Sequence, residues 1–148
     1  MKMKKESTFP AALLFVLVLA AAAPAAPGFG TVDTAGLHSM VVDNAYRIEA
    51  GRQKQFAVVD ARTKEEYDEA HIFSAISVPE GDFERFVSLL PKDRSTQVVV
   101  YCDDRTGTDR KWADRAAALG YTNIVIYGEG FSAWKEQHMP TAPIAGNH

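Results

Sequence analysis

Four short apolar runs recur along the chain, FAVV at 56–59, ISV at 76–78, VVVY at 98–101 and IVIY at 124–127, with polar, helix-patterned stretches between them. This alternation limits the fold more than any other feature. Strands separated by helices return to the same end of a sheet and pair in parallel. VVVY is apolar at consecutive positions, as a strand covered on both faces requires, so it is expected at the centre. The segments 63–70 and 82–90 carry helical patterns. The stretch after Thr108 places Trp112, Ala116 and Leu119 on one face with Ala113 and Ala117 beside them. Gly120 is its expected stop. Upstream, Thr34 is expected to cap a helix running through Leu37, Met40 and Val41, and residues 51–54 form a polar break before the first run. The chain therefore reads as α/β, a central parallel sheet flanked by helices on both faces.

The amino-terminal segment reads differently. Lys2, Lys4 and Lys5 precede the apolar run 11–23, which is followed by small residues and prolines, the pattern of a secretory signal. That run is shorter than the roughly 20 residues a membrane-spanning helix needs. Cleavage is expected near Ala25, with Ala23 and Ala25 in the small-residue positions and an uncleaved anchor as the alternative. The expected organisation is a signal peptide over 1–25, a linker over 26–31 and one domain over 32–148, exported to a periplasm or secreted and not inserted in a membrane after processing. A formal net charge of −3 and a pI near 5.8 argue against nucleic acid as a partner, which requires a concentrated basic surface. One cysteine excludes an intramolecular disulfide and a multi-cysteine zinc site. His38, His71, His138 and His148 share no metal-like spacing, so no metal is expected.

That cysteine, Cys102, stands at the carboxyl end of VVVY, and the polar loop DDRTGTDR follows it into the Trp112 helix. Ligand sites of open α/β sheets lie at this edge. A loop entering a helix amino terminus turns backbone N–H groups inward, and with the positive helix end these stabilise a thiolate or a bound anion. The thiol is thus placed for a lowered pKa, and neighbours this polar argue against an inert core cysteine.

Three stretches jointly resemble the rhodanese-like sulfurtransferases, from about Val58 to Pro143: VVDARTKEEYDEAHIFSAISVP, VVVYC and ALGYTNIVIYGEGFSAWKEQHMPTAP. In the first, Asp60 and Arg62 end the strand, Glu66 and Tyr67 lie on the helix, and His71 and Ile72 precede the next strand. In the last, Gly130, Phe131 and Trp134 take the places of a glycine turn and an aromatic helix start. The resemblance implies a rhodanese-like fold and a two-step sulfur transfer with Cys102 as the catalytic nucleophile. It further implies that the loop N–H groups of Asp103, Asp104, Arg105, Thr106, Gly107 and Thr108 hold the persulfide anion. No cofactor is implied. The implied partners are a small-molecule sulfur donor, such as thiosulfate or a persulfide, and a thiol acceptor, which a protein could also supply. Asp60 and Arg62 are expected to form an ion pair at the carboxyl edge of the sheet, as a structural clamp before a substrate contact.

The loop departs from the family pattern, which has a glycine three residues after the cysteine and an arginine five after. Arg105 and Gly107 stand there instead, and the loop is about one residue longer. Asp103, Asp104 and Asp109 balance Arg105, Arg110 and Lys111, and carboxylates beside a thiol raise its pKa unless they point away. Thiosulfate is therefore expected to be a poor donor, with Arg105 the candidate anion contact. The alternative is a catalytically weak rhodanese-fold binding or sulfur-carrier module. Phosphatases and arsenate reductases of this fold clamp an oxyanion with an arginine six residues after the cysteine; threonine at 108 ranks phosphoryl chemistry below sulfur transfer. His71 is expected to bond backbone at a helix-to-strand corner. Trp134, Phe131 and Tyr127 are expected in the core or a pocket wall, and Glu65, Glu66, Asp68 and Glu69 on a solvated face.

Overall fold

The computed structural model describes residues 28–103 and 107–143. Its elements are β1 (Gly30–Thr31), α1 (Thr34–Glu49), β2 (Phe56–Asp60), α2 (Lys64–Glu69), β3 (His71–Ile72), β4 (Ile76–Ser77), α3 (Phe83–Phe86), β5 (Gln97–Tyr101), α4 (Thr108–Ala118), β6 (Ile124–Tyr127), α5 (Gly130–Glu136) and β7 (Thr141–Ala142). Five strands form one parallel sheet in the order β1-β6-β5-β2-β4, while β3 and β7 pair antiparallel in a small ribbon. The VVVY strand is central as its sequence predicts.

Alternation along β5 divides the core in two. Val98 and Val100 share one face with Trp112, Ala113 and Ala116 of α4 and with Phe83 of α3. Val99 and Tyr101 share the other with Leu37 and Val41 of α1 and with Phe131 and Trp134 of α5. Helices thus cover both faces, each large side chain contributing about 1.5–3 kcal/mol by leaving water. The indole N–H of Trp112 also donates to the Val78 carbonyl at 2.9 Å, tying α4 to the end of β4.

Several local expectations are corrected. The cap of α1 is Asp33, whose carboxylate accepts the Gly36 N–H at 2.8 Å; Thr34 is the first helical residue. Its hydroxyl is taken by tertiary partners, Tyr127 at 2.6 Å and Glu129, so it is not available to the helix end. Residues 82–90 are not one helix but a 3₁₀ turn at Glu80–Asp82, the single turn α3, and a second 3₁₀ turn at Val87–Leu89. Leu90 then turns extended, the conformation a residue before proline prefers, here Pro91. Gly30 and Thr31, read as linker, form β1 at the sheet edge, because edge pairing uses backbone groups and leaves no side-chain pattern. The expected signal segment, residues 1–25, lies outside the described residues.

Other boundaries agree closely. Thr63 caps α2 in a reciprocal capping box with Glu66. Gly120, at φ 95°, ends α4 in a Schellman arrangement: its N–H reaches the Ala117 carbonyl, and that of Tyr121 reaches Ala116. Gly130 does more than turn the chain. Its φ is 79°, and a Cβ there would lie 2.8 Å from the Cys102 carbonyl oxygen. Gly130→Ala is therefore expected to lower the urea midpoint by an amount worth at least about 1–2 kcal/mol, from left-handed strain plus the clash. Gly128→Ala, with nothing within 4 Å of its Cβ, is the control and should cost well under half as much.

Candidate active site

Cys102 immediately follows β5 and is 3% exposed. It continues the alternation of the strand: Tyr101 belongs to the α1 and α5 side, Cys102 to the side of α3 and α4. Asp103 returns to α5, where its carboxylate accepts the Ser132 N–H at 2.7 Å and the Ser132 hydroxyl at 2.9 Å. The Cys102 carbonyl accepts the Phe131 N–H at 3.1 Å. The Cys102 backbone and the Asp103 side chain are thereby both tied to the start of α5.

Above Cys102 opens a cleft of about 600 Å³. Its walls come from the chain after β2 at residues 61–66, the chain after β4 at residues 79–86, and Thr108 at the start of α4. All of these follow the carboxyl ends of parallel strands, the edge where open α/β sheets bind ligands. Thr108 brings the amino-terminal end of α4 to the cleft, and Gly107 before it has a φ of 83°, a conformation that suits glycine. Asp104, Arg105 and Thr106 lie outside the described residues. Arg110 and Lys111 follow on α4; Arg110 lies over the Phe29 ring at 4.6 Å and pairs with Asp114 at 3.5 Å.

Beneath this edge, Asp60 and Arg62 form a buried pair, 0% and 8% exposed. Arg62 reaches both Asp60 oxygens in a two-pronged contact, with Nη2 at 2.6 Å from Oδ2 and Nε at 3.0 Å from Oδ1. Its Nη2 also donates to the Ala70 carbonyl at 2.7 Å, and the guanidinium stacks 3.9 Å over Phe131. The Tyr101 hydroxyl donates to Asp60 at 2.6 Å and accepts the Ile72 N–H at 3.1 Å. Burial alone would lower the Arg62 pKa, but the hydrogen bond and charge of Asp60 outweigh it and hold the value above the ordinary one. Burial, then the Asp60 charge, pushes the Tyr101 phenol well above its usual range. The guanidinium is thus occupied by Asp60, backbone and ring, although Arg62 also borders the cleft.

His71 sits at its corner with Nδ1 2.7 Å from the Tyr67 carbonyl and its ring stacked on Tyr67. Trp134, Phe131 and Tyr127 are buried core. Among the described residues no group of three or more His, Cys, Asp or Glu is arranged to hold a metal. Sequence reasoning missed the second wall of the cleft, in particular Glu80, Asp82, Arg85 and Phe86. The signal was present, since PEGDFERF follows the β4 run just as the cysteine loop follows β5.

A family model described as Rhodanese-like domain matches residues 44–137. This chain belongs to the rhodanese-like domain family. It is 26% identical over 106 residues to an uncharacterized protein of Buchnera aphidicola, covering 71% of each chain. It is 33% identical over 89 residues to an adenylyltransferase and sulfurtransferase of Ogataea parapolymorpha, covering 59% of this chain and 22% of that one. The fold matches a crystal structure of thiosulfate sulfurtransferase from Pseudomonas aeruginosa with a TM-score of 0.62 at 19% identity, over 76% of this chain and 20% of that one. The chain thus spans about a fifth of these two larger proteins.

The Tyr101 hydroxyl gives a test of the buried pair. Tyr101→Phe leaves the Ile72 N–H without its acceptor and should cost about 1–3 kcal/mol in denaturant unfolding. A phenol whose folded pKa is raised contributes stability that is complete below the unfolded value near 10 and is lost as pH rises from there toward the folded value. Stability measured above about pH 10 should therefore fall less steeply in the variant than in the parent.

Proposed function

We propose that this rhodanese-like domain is an exported sulfurtransferase that carries a sulfane sulfur on Cys102. The observation that supports it most directly is the position of Cys102 beneath a cleft walled by three strand ends. In the first step the Cys102 thiolate attacks the sulfane sulfur of a donor such as thiosulfate or a persulfide. The donor S–S bond breaks, its electron pair leaves with sulfite or a thiolate, and Cys102 becomes a persulfide. In the second step an acceptor thiolate or cyanide takes the outer sulfur, and the pair of electrons in that S–S bond returns to Cys102. Charge and electrons balance without a metal or an organic cofactor.

Within this reading the N–H groups of residues 103–108 and the amino-terminal end of α4 stabilise the persulfide anion, as backbone donors stabilise an oxyanion. Asp103 supports such a role indirectly, because its carboxylate is engaged with Ser132 on α5. The Asp60–Arg62 pair acts as a positioning element for the strand ends on either side of Cys102.

Mass spectrometry after incubation with thiosulfate, or separately with a polysulfide, tests the chemistry. The parent protein should gain one sulfur and Cys102→Ala none. No gain with any donor would leave a binding module in place of a transferase. The location has its own check: expressed with its leader in a bacterial host, the chain should be recovered outside the cytoplasm and shortened near Ala25, whereas an unprocessed cytoplasmic product would sink the export reading.

A further inference from the structure

The cleft above Cys102 carries more acid than base. Leaving aside Asp103, whose carboxylate is bound to Ser132, the carboxylates of Glu65, Glu66, Glu80 and Asp82 line it against three cations, Arg62, Lys64 and Arg85. Two of the cations are occupied: Arg62 by Asp60, and Lys64 by Asp68. Arg85 is the lining cation with no ion-pair partner among the described residues. On the acidic side, Glu80 shares Arg115 with Glu84, while Glu65 and Asp82 are exposed at the rim with no ion-pair partner among the described residues.

The size of the cleft points the same way. About 600 Å³ falls in the range of sites that enclose drug-sized ligands, whereas thiosulfate is an ion of a handful of heavy atoms. A dianion would fill little of this space and would face a surplus of negative charge. A cationic ligand of several residues suits both the volume and the sign.

We propose that the acceptor that unloads Cys102 is a cysteine borne on a basic protein segment, with lysine or arginine flanking the thiol. This inference rests on the sulfur-carrier reading above. The cationic flanks lie along the rim carboxylates Glu65, Glu80 and Asp82, and the acceptor thiolate meets the outer sulfur of the Cys102 persulfide. The persulfide S–S bond breaks, its electron pair returns to Cys102 as thiolate, and the acceptor departs as a persulfide, with no oxidant or reductant consumed.

The test uses the full domain loaded with polysulfide, with persulfide formation first verified by mass. Unloading is then timed against two cysteine peptides of equal length, one flanked by lysine and arginine and the other by aspartate and glutamate. The basic peptide should react roughly tenfold faster at about 10 mM salt, and the ratio should fall to within about twofold at about 0.5 M. Glu65→Lys and Asp82→Lys should each shrink the low-salt ratio. Glu49→Lys changes the net charge equally on α1, away from the cleft, and should leave the ratio in place. Equal rates, faster reaction with the acidic peptide, or an equal effect of Glu49→Lys would overturn the inference while leaving the sulfur carrier standing. Failure of Cys102 to take up sulfur from any donor would remove both.

Discussion

The buried Asp60–Arg62 pair is the constraint on which the carboxyl edge of the sheet depends. Through it β2 is joined to Tyr101 at the end of β5, to the Ala70 carbonyl after α2, and to the ring of Phe131 on α5. Removing two charges from water is costly, and only close two-pronged geometry with further hydrogen bonds offsets it. Here each group has such bonds. Breaking one partner would leave the other buried and unpaired, a cost of about 3–5 kcal/mol in comparable cases. The pair therefore acts less as a source of stability than as a tie that holds the ends of β2 and β5 to the chain after α2 and to α5.

That arrangement determines which way Cys102 faces. Tyr101 turns toward the pair, so the next residue must turn toward the cleft and the one after it must turn back. Cys102 and Tyr101 lie on opposite sides of the sheet by strand alternation, and the bonds of Asp103 to Ser132 carry its carboxylate to α5. The carboxylate next to the thiol in sequence is consequently bound to Ser132 on α5. Gly130 allows this closeness, since any side chain there would meet the Cys102 carbonyl.

Much of this was legible in the sequence. The short apolar runs located β2, β5 and β6, the 3.6-residue periodicity located α4, and the rule that sites lie at strand carboxyl ends pointed to Cys102. What escaped depends on tertiary partners. Asp33 and Thr34 are both good caps, and the choice between them follows from Tyr127 and Glu129, which are distant in sequence. Strands of two residues such as β1, β3 and β7 are made by backbone pairing alone. The PEGDFERF wall was overlooked because the strand-end rule was applied to one strand, although β2 and β4 end on the same side. The direction of Asp103 likewise follows from its bonds to Ser132, 29 residues away in sequence.

The depth of Cys102 has a consequence for how such a thiol survives. A disulfide between two copies of the chain needs their Cα atoms within about 7 Å. With its cysteine 3% exposed beneath the cleft, a second copy approaching that atom would first meet the described walls, the chain after β2 and the chain after β4. A slender chain bearing a thiol can enter where a folded surface cannot. The shape of the cleft therefore favours a narrow visitor over a folded surface at the Cys102 thiol.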